Sequence, residues 1–222
     1  MTYWLAIETS TRNCSVAVFS DFECLAIRED AHPERYTHAE VLHAFAQEVL
    51  NEAQVSWSQL SAIAVGDGPG SFTGLRIGVA AAKGYAFALG IPLVAVPVME
   101  ILHAYWQING RDEEHCISLI DARRMESYTQ IFGSQSQAVQ PLIIESDIFT
   151  HLTGSIALVG DAADKYRPVL NDERFAFYQV FPSARFMAHP AFSRIKTANF
   201  VDVAYHTPNY GKEFIAGKPK QV

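Results

Sequence analysis

One continuous stretch, Asp67 to Leu89, constrains the fold of this chain more than any other. A short apolar run, Ala62 to Val65, precedes it and reads as a buried strand. Glycines at 66, 68, 70 and 74 follow, forming a loop open to positive φ and to close approach of another group. From about Thr73 the pattern turns helical and strongly apolar. Only Arg76 and Lys83 are charged, and at the helical period they share one narrow stripe with Ala80 and Phe87. A helix apolar nearly all round must be covered on more than one side. Its own sheet covers one side. On another, the small residues around Gly74, Gly78, Ala81, Gly84 and Tyr85 would admit a second helix at close range. A partner interface and a core helix of a single chain both stay open at this point.

The rest of the chain supplies layers for this unit. Tyr3 to Ile7 is a strand candidate, and the polar run Glu8 to Asn13 reads as a tight turn. Ser15 to Phe19 and Glu23 to Ile27 complete an antiparallel meander. Ala39 to Ala53 is helical, with Thr37 and Glu40 spaced as a capping box. A strand from Pro92 to Val96 and a helix from Met99 to Trp106 close the first half. The polar break at Asn109–Glu114 marks a boundary, giving subdomains of 1–108 and 109–222. The second half then repeats the first. A strand ends in Asp121 and another in Phe132, 113 residues after Glu8 and Phe19 respectively, so that Ile7 falls on Ile120 and Val18 on Ile131. Ala64-Val65-Gly66-Asp67 is echoed by Leu158-Val159-Gly160-Asp161. The pattern reads as a duplication of mixed α/β units, chance similarity of two apolar hairpins being the alternative. Ala162-Ala163 stand where the first copy has its glycine loop. Pro182 to Phe200 offers a short helix interrupted at Pro190.

Composition narrows the function classes. Nearly half of the 222 residues are hydrophobic, which favours a well-filled core. No apolar run is long enough to span a bilayer. The Met1–Trp4 segment lacks the basic start of a signal peptide, and the three scattered cysteines fit reduced thiols; both point to a cytoplasmic protein. A net charge of −7 argues against the chain gripping nucleic acid by itself. Only the tail after Tyr210 leans basic, through Lys212, Lys218 and Lys220.

The glycine loop is placed to cradle an anion, with Gly68, Gly70, Ser71 and Thr73 as its contacts and the helix N-terminus behind them. It does not fit the known phosphate motifs. A P-loop requires Lys-Ser/Thr after its last glycine, whereas Gly74 is followed by Leu75-Arg76. The dinucleotide fingerprint and the nucleophile elbow fail at Ser71 and at Pro69 and Thr73. A purely structural turn is the competing reading. Glu8 and Asp121, as strand-end acids facing a cleft, would suit Mg·ATP, but no glycine follows Glu8 and turn formation explains both acids as well. The eight histidines show no metal-ligand spacing.

The run Gly68-Pro69-Gly70-Ser71-Phe72-Thr73-Gly74-Leu75-Arg76-Ile77-Gly78, with Glu8-Thr9-Ser10-Thr11 before it and Asp121-Ala122-Arg123 after it, resembles the TsaB (YeaZ) family. The resemblance extends from about Leu5 to Gly160. It implies two subdomains of the actin-like ATPase and sugar-kinase (ASKHA) type. It implies a non-catalytic partner in making threonylcarbamoyladenosine in tRNA, beside a TsaD-like transferase and a TsaE-like ATPase. The helix beginning near Thr73 would contact the TsaD-like protein, or a second copy of the chain when that partner is absent, through Phe72, Thr73, Gly74, Ile77, Gly78, Ala81, Gly84 and Tyr85. Replacing Gly78 or Ala81 with a large residue should then break the complex and leave the fold intact. The resemblance implies no cofactor of the chain's own, with ATP or ADP confined to the complex interface, and tRNA reached only through the complex. TsaD-like proteins carry a metal-binding His-x-x-x-His where this chain has Val98-Met99-Glu100-Ile101-Leu102, with His103 one residue out of place. Two departures stand out: Glu8 replaces the family's usual Asp, and Pro208-Asn209-Tyr210-Gly211-Lys212 replaces its Pro-x-Tyr-Leu-Arg ending. The rival reading is an ATP-dependent small-molecule kinase of the same superfamily; a metalloprotease would need a metal site.

Overall fold

The structure is a computed structural model that describes residues 1–32, 37–110, 112–133 and 136–211. The basic tail beyond Gly211 lies outside the described residues. Two five-stranded mixed sheets form the frame. The first contains β1 (Tyr3–Glu8), β2 (Cys14–Ser20), β3 (Glu23–Asp30), β4 (Leu60–Gly66) and β5 (Leu93–Val96), in the order β3-β2-β1-β4-β5. The second contains β6 (His115–Asp121), β7 (Glu126–Phe132), β8 (Gln137–Ile143), β9 (Ile156–Gly160) and β10 (Phe175–Gln179), in the order β10-β9-β6-β7-β8. Reversed, the second order is the first: an antiparallel meander followed by two parallel strands. This is the two-subdomain α/β arrangement expected of the ASKHA type.

The duplication holds in topology, but its register differs from the gapless sequence offset. Leu5 pairs with Val18 on one side and Ile63 on the other, and Ile117 takes the same place between Ile131 and Leu158. Val18 therefore does correspond to Ile131. The acids do not correspond. The second hairpin is one residue longer between equivalent pairs, and it closes with Asp121 opposite Ser127 where the first closes with Glu8 opposite Ser15. A slip of one residue turns a side chain to the opposite face of a sheet. Ile7 packs under the helices of the first subdomain, whereas Ile120 faces the other way, onto Val98, Met99 and Leu102. By register, Leu119 is the counterpart of Ile7, and Asp121 that of Thr9.

Five helices cover the sheets: α1 (His38–Glu52), α2 (Phe72–Leu89), α3 (Val98–Asn109), α4 (Ala163–Tyr166) and α5 (Ala188–Lys196). Leu42, Ala46 and Val49 of α1, with Val79, Ala82 and Ala86 of α2, seal one face of the first sheet. The expected capping box at Thr37 and Glu40 does not form, because Thr37 Oγ1 donates to Asp30 Oδ2 at 2.7 Å. Ser71 caps α2 instead, its Oγ accepting from Gly74 N at 3.3 Å. α3 lies between the two sheets, burying Leu102 against Cys116 and Val159 on one side and Ile101 among first-sheet residues on the other.

The opposite face of the first sheet is covered from far along the chain. Ala184, Met187, Ala191 and Phe192 pack on Trp4, Ala6 and Phe19, and Trp4 stacks on Phe19 at 4.2 Å between ring centroids. Residues 184–196 thus complete the first subdomain, so a division at residue 108 assigns this segment to the wrong side. Pro190 does not interrupt α5: it occupies the first turn, where its missing N–H has no intrahelical partner to lose. β8 and β10 lay outside the sequence assignment. Half or more of β8 is exposed, so no alternation of buried residues marks it.

Candidate functional site: an interhelical face and a cleft

The loop after β4 is set by close contacts more than by unusual torsions. Of the four glycines at 66, 68, 70 and 74, only Gly68 has positive φ, at 104°. A side chain on Gly66 would strike Glu8 Oε2, one on Gly70 the Ser10 carbonyl, and one on Gly74 the Thr9 carbonyl. On Gly78 it would strike Thr9 Oγ1. The turn between β1 and β2 therefore rests on the start of α2, fastened by Ser71 N to Ser10 O at 2.6 Å and Thr9 Oγ1 to Gly74 O at 2.8 Å.

These contacts redistribute the expected interface residues. Gly74 and Gly78 are buried against Thr9 and are internal packing positions, not a partner surface. Tyr85 meets its own chain, with Trp57 at 4.8 Å between centroids and His43 Nδ1 at 2.5 Å from its hydroxyl. Phe72 lies beneath the Arg76 guanidinium and beside Tyr210. Thr73, Ala80, Gly84, Phe87 and Ala88 are exposed, with Ile77 and Ala81 half-buried beside them. Phe87 is 82% exposed, and nothing stands within 4 Å of a Cβ built on Gly84. The two charged residues of α2 are occupied: Arg76 Nε donates to Tyr210 Oη at 3.1 Å, and Lys83 Nζ donates to the Ala204 and His206 carbonyls, both at 3.0 Å. His206 in turn pairs with Asp67 at 2.9 Å, and Tyr128 of the second subdomain donates to the Tyr210 carbonyl at 3.1 Å. Residues 202–210 form a strap along one flank of α2 that engages both of its cations and leaves Ala80, Gly84 and Phe87 exposed beside it.

Between the subdomains is a cleft of about 770 Å³. Of the residues expected to contact an anion, Gly70, Ser71, Thr73 and Asp121 line it. Gly68 and Glu8 do not: Gly68 packs on the Asn209 carbonyl, and Glu8 is sealed beneath Gly66. Glu8 Oε1 accepts from Ser10 N at 2.5 Å, Oε2 has no hydrogen-bond partner, and burial pushes the carboxyl up to about 7. Asp121 is held by Lys165 Nζ and by Arg123 N. Asp161 accepts from Asp121 N at 2.8 Å, and burial raises it to about 6. Arg12, Arg123, Tyr128, Phe181 and Tyr210 also line the cleft, and no glycine or acid motif marks them in the sequence. The adjacent Arg123-Arg124 pair after the strand-end acid was the available signal.

Val98 and Leu102, standing where TsaD-like proteins have metal ligands, are fully buried in the α3 core and offer no donor atoms. His103 stacks between Trp106 and Phe132, and burial lowers its pKa. Among the described residues no three His, Cys, Asp or Glu side chains gather as a metal site, and no helix is long and apolar enough to cross a membrane.

A family model described as TsaD, tRNA N6-adenosine threonylcarbamoyltransferase, matches residues 32–217. The Escherichia coli K12 "tRNA threonylcarbamoyladenosine biosynthesis protein TsaB" is 32% identical over 166 residues, 70% of each chain. The chain belongs to the TsaB (YeaZ) family. A Bacillus subtilis 168 TsaB is 33% identical over 151 residues, covering 65% of this chain and 61% of that one. The solved YeaZ of Pseudomonas aeruginosa superimposes with a TM-score of 0.82 at 27% identity, over 95% of this chain and all of that one. The TsaB fold thus extends through the second subdomain and the returning α5, a longer span than either sequence alignment covers.

Proposed function

We propose that this TsaB-family chain serves the synthesis of threonylcarbamoyladenosine in tRNA as a partner subunit, supporting a TsaD-like threonylcarbamoyltransferase and performing no transfer itself. One observation carries the reading: the exposed side of α2, from Thr73 through Ala80 and Gly84 to Phe87, has Arg76 and Lys83 as its only charges, and both are tied to the strap. Contiguous exposed apolar surface of this kind marks interaction sites. The TsaD-like protein takes this flank, a second copy of the chain takes it when that protein is absent, and a TsaE-like ATPase joins the complex. Nucleotide, where present, belongs to the joint interface. The net charge of −7 accords with tRNA being held by the assembly, in the cytoplasm.

The test is capture and rescue. The chain should co-purify with a TsaD-like protein and restore tRNA modification in a reaction lacking its own TsaB. Gly84→Arg should abolish both while the isolated variant stays folded by circular dichroism. Full capture by that variant would overturn the assignment of the α2 flank.

A further inference from the structure

The strap of residues 202–210 runs along α2 between two anchors. At one end Val201 bridges Leu93 of β5, its N donating to Leu93 O at 3.0 Å. At the other, Tyr210 packs on Phe72 and accepts from Arg76 and Tyr128. Polar ties hold the span between them. Lys83 Nζ donates to the Ala204 and His206 carbonyls, Asn209 N donates to Asp67 O at 2.8 Å, and His206 Nε2 stands 2.9 Å from Asp67 Oδ1. The last tie differs in kind. Its two side chains are only 12% and 20% exposed, and neither atom has an aligned hydrogen-bond partner. The attraction is therefore that of an imidazolium for a carboxylate, and it depends on the charge of the ring. Burial pushes the Asp67 carboxyl up, and the charge of His206 pulls it back. The other charged groups around the strap are engaged elsewhere: Lys83 by the two carbonyls, Arg76 by Tyr210, and Asp202 by the Ala204 and Tyr205 amides. Glu8 lies beneath Gly66, one residue before Asp67.

We propose that residues 202–210 are a proton-dependent latch on α2, shut while His206 carries its charge and released when it loses it. A neutral imidazole leaves the Asp67 carboxylate under the strap without its counter-charge, and a buried charge deprived of its partner is costly. An imidazole changes charge between about pH 5 and 8, which places the latch in the physiological range. The shut state holds the proton more tightly than the released one, so shutting is favoured near pH 6 and weakens as pH rises towards 8. Release changes α2 in two ways. Asp202, Val203 and Ala204 form one wall of a groove of about 570 Å³ whose other wall is Lys83, Gly84 and Phe87, and the strap wall moves. Lys83 also loses the carbonyls that occupy it and presents a free ammonium group beside Gly84. A partner on α2 thus meets a shut groove at the lower pH and an open, more cationic one at the higher. That consequence rests on the partner reading; the latch itself does not.

Amide exchange of the full-length chain, read by NMR, tests the latch. The Asn209 amide, bonded to Asp67 O, reports the strap once its rate is corrected for the intrinsic pH dependence of exchange. Glu8 weakens the whole fold over the same pH range, so a Glu8→Gln chain serves as parent, with amides of β1 and β4 as the global reference. Relative to that reference, Asn209 protection in the parent should fall at least tenfold from pH 6 to pH 8. Adding His206→Gln or Asp67→Asn should make it low at both values and independent of pH. Protection that does not change with pH in the parent, or that His206→Gln leaves as high or as pH-dependent as before, would overturn the proposal. If a variant fails to fold, the pH comparison in the parent decides alone. Capture of a TsaD-like protein is read separately through Gly84→Arg, so the latch and the partner reading can each fail without the other.

Discussion

Thr9 lies directly on Gly78. Its hydroxyl donates to the Gly74 carbonyl at 2.8 Å, and a methyl group on Gly78 would collide with that same oxygen. The β1–β2 turn and α2 are thus held at a separation that only glycine permits, and the glycines that invited a second helix in the sequence are consumed by the chain itself.

Gly78→Ala is expected to destabilise the fold. In an open helix the change would gain about 1 kcal/mol of helix propensity. Here overpacking against Thr9 costs about 1–3 kcal/mol and wins. In a Thr9→Ala background the obstructing oxygen is gone, and the same replacement should become neutral or stabilising. Urea denaturation of the four proteins measures this coupling; equal effects of Gly78→Ala in both backgrounds would show that Thr9 is not the obstacle.

Gly84→Ala should do the reverse. Nothing lies within 4 Å of its added methyl group, so the gain of about 1 kcal/mol appears undiminished as a higher urea midpoint. Two glycines six residues apart on one helix therefore differ in the sign of the same substitution, and a lowered midpoint for Gly84→Ala would contradict the open flank.

Glu8 predicts a pH dependence. Its folded-state pKa, about 7, lies above the ordinary 4.5, so the native state holds the proton more tightly than the unfolded chain. The resulting stability is complete below about pH 4.5 and is lost as pH rises through about 7, a change on the order of 3 kcal/mol. Asp161, raised to about 6, adds a contribution of the same sign. Glu8→Gln should flatten most of this slope and leave the variant more stable than wild type at pH 8. Unfolding midpoints taken from pH 5 to 8 check it; parallel wild-type and variant profiles would mean that Glu8 does not titrate in this window.

Lys83→Met should loosen the strap. Without its ammonium group the Ala204 and His206 carbonyls lose a shared donor, a cost of about 1–2 kcal/mol. Hydrogen exchange should quicken across residues 202–210 and stay unchanged in β1 and β4. Uniform quickening would indicate global destabilisation instead.

Much of the architecture was legible because strand and helix periods in the first half are strong: β1, β4 and α2 each carry an apolar run bounded by turn residues. The duplication was visible for the same reason. The one-residue slip was not, because a gapless offset at Glu8 and Phe19 hides the extra residue that the second hairpin carries between its strands. Thr37 misled because capping residues read alike whether their hydroxyl faces the helix or, as here, Asp30. At the candidate sites, composition marked α2 as needing cover, while the division of its small residues between Thr9 and open space depends on a turn sixty-odd residues earlier. Arg12 and Arg123 come to line one cleft only once the two sheets face each other.

The packing of Ala184, Met187, Ala191 and Phe192 on Trp4 and Phe19 gives the chain a particular order of assembly. During synthesis from the N-terminus, the first sheet emerges with one face closed by α1 and α2 and the other covered only in part, by Ile101 of α3, and that face contains a stacked tryptophan–phenylalanine pair. The rest of its cover is made only after the whole second sheet has been synthesised. The second subdomain is thus a long, folded loop closure that returns the final helix to the first strand.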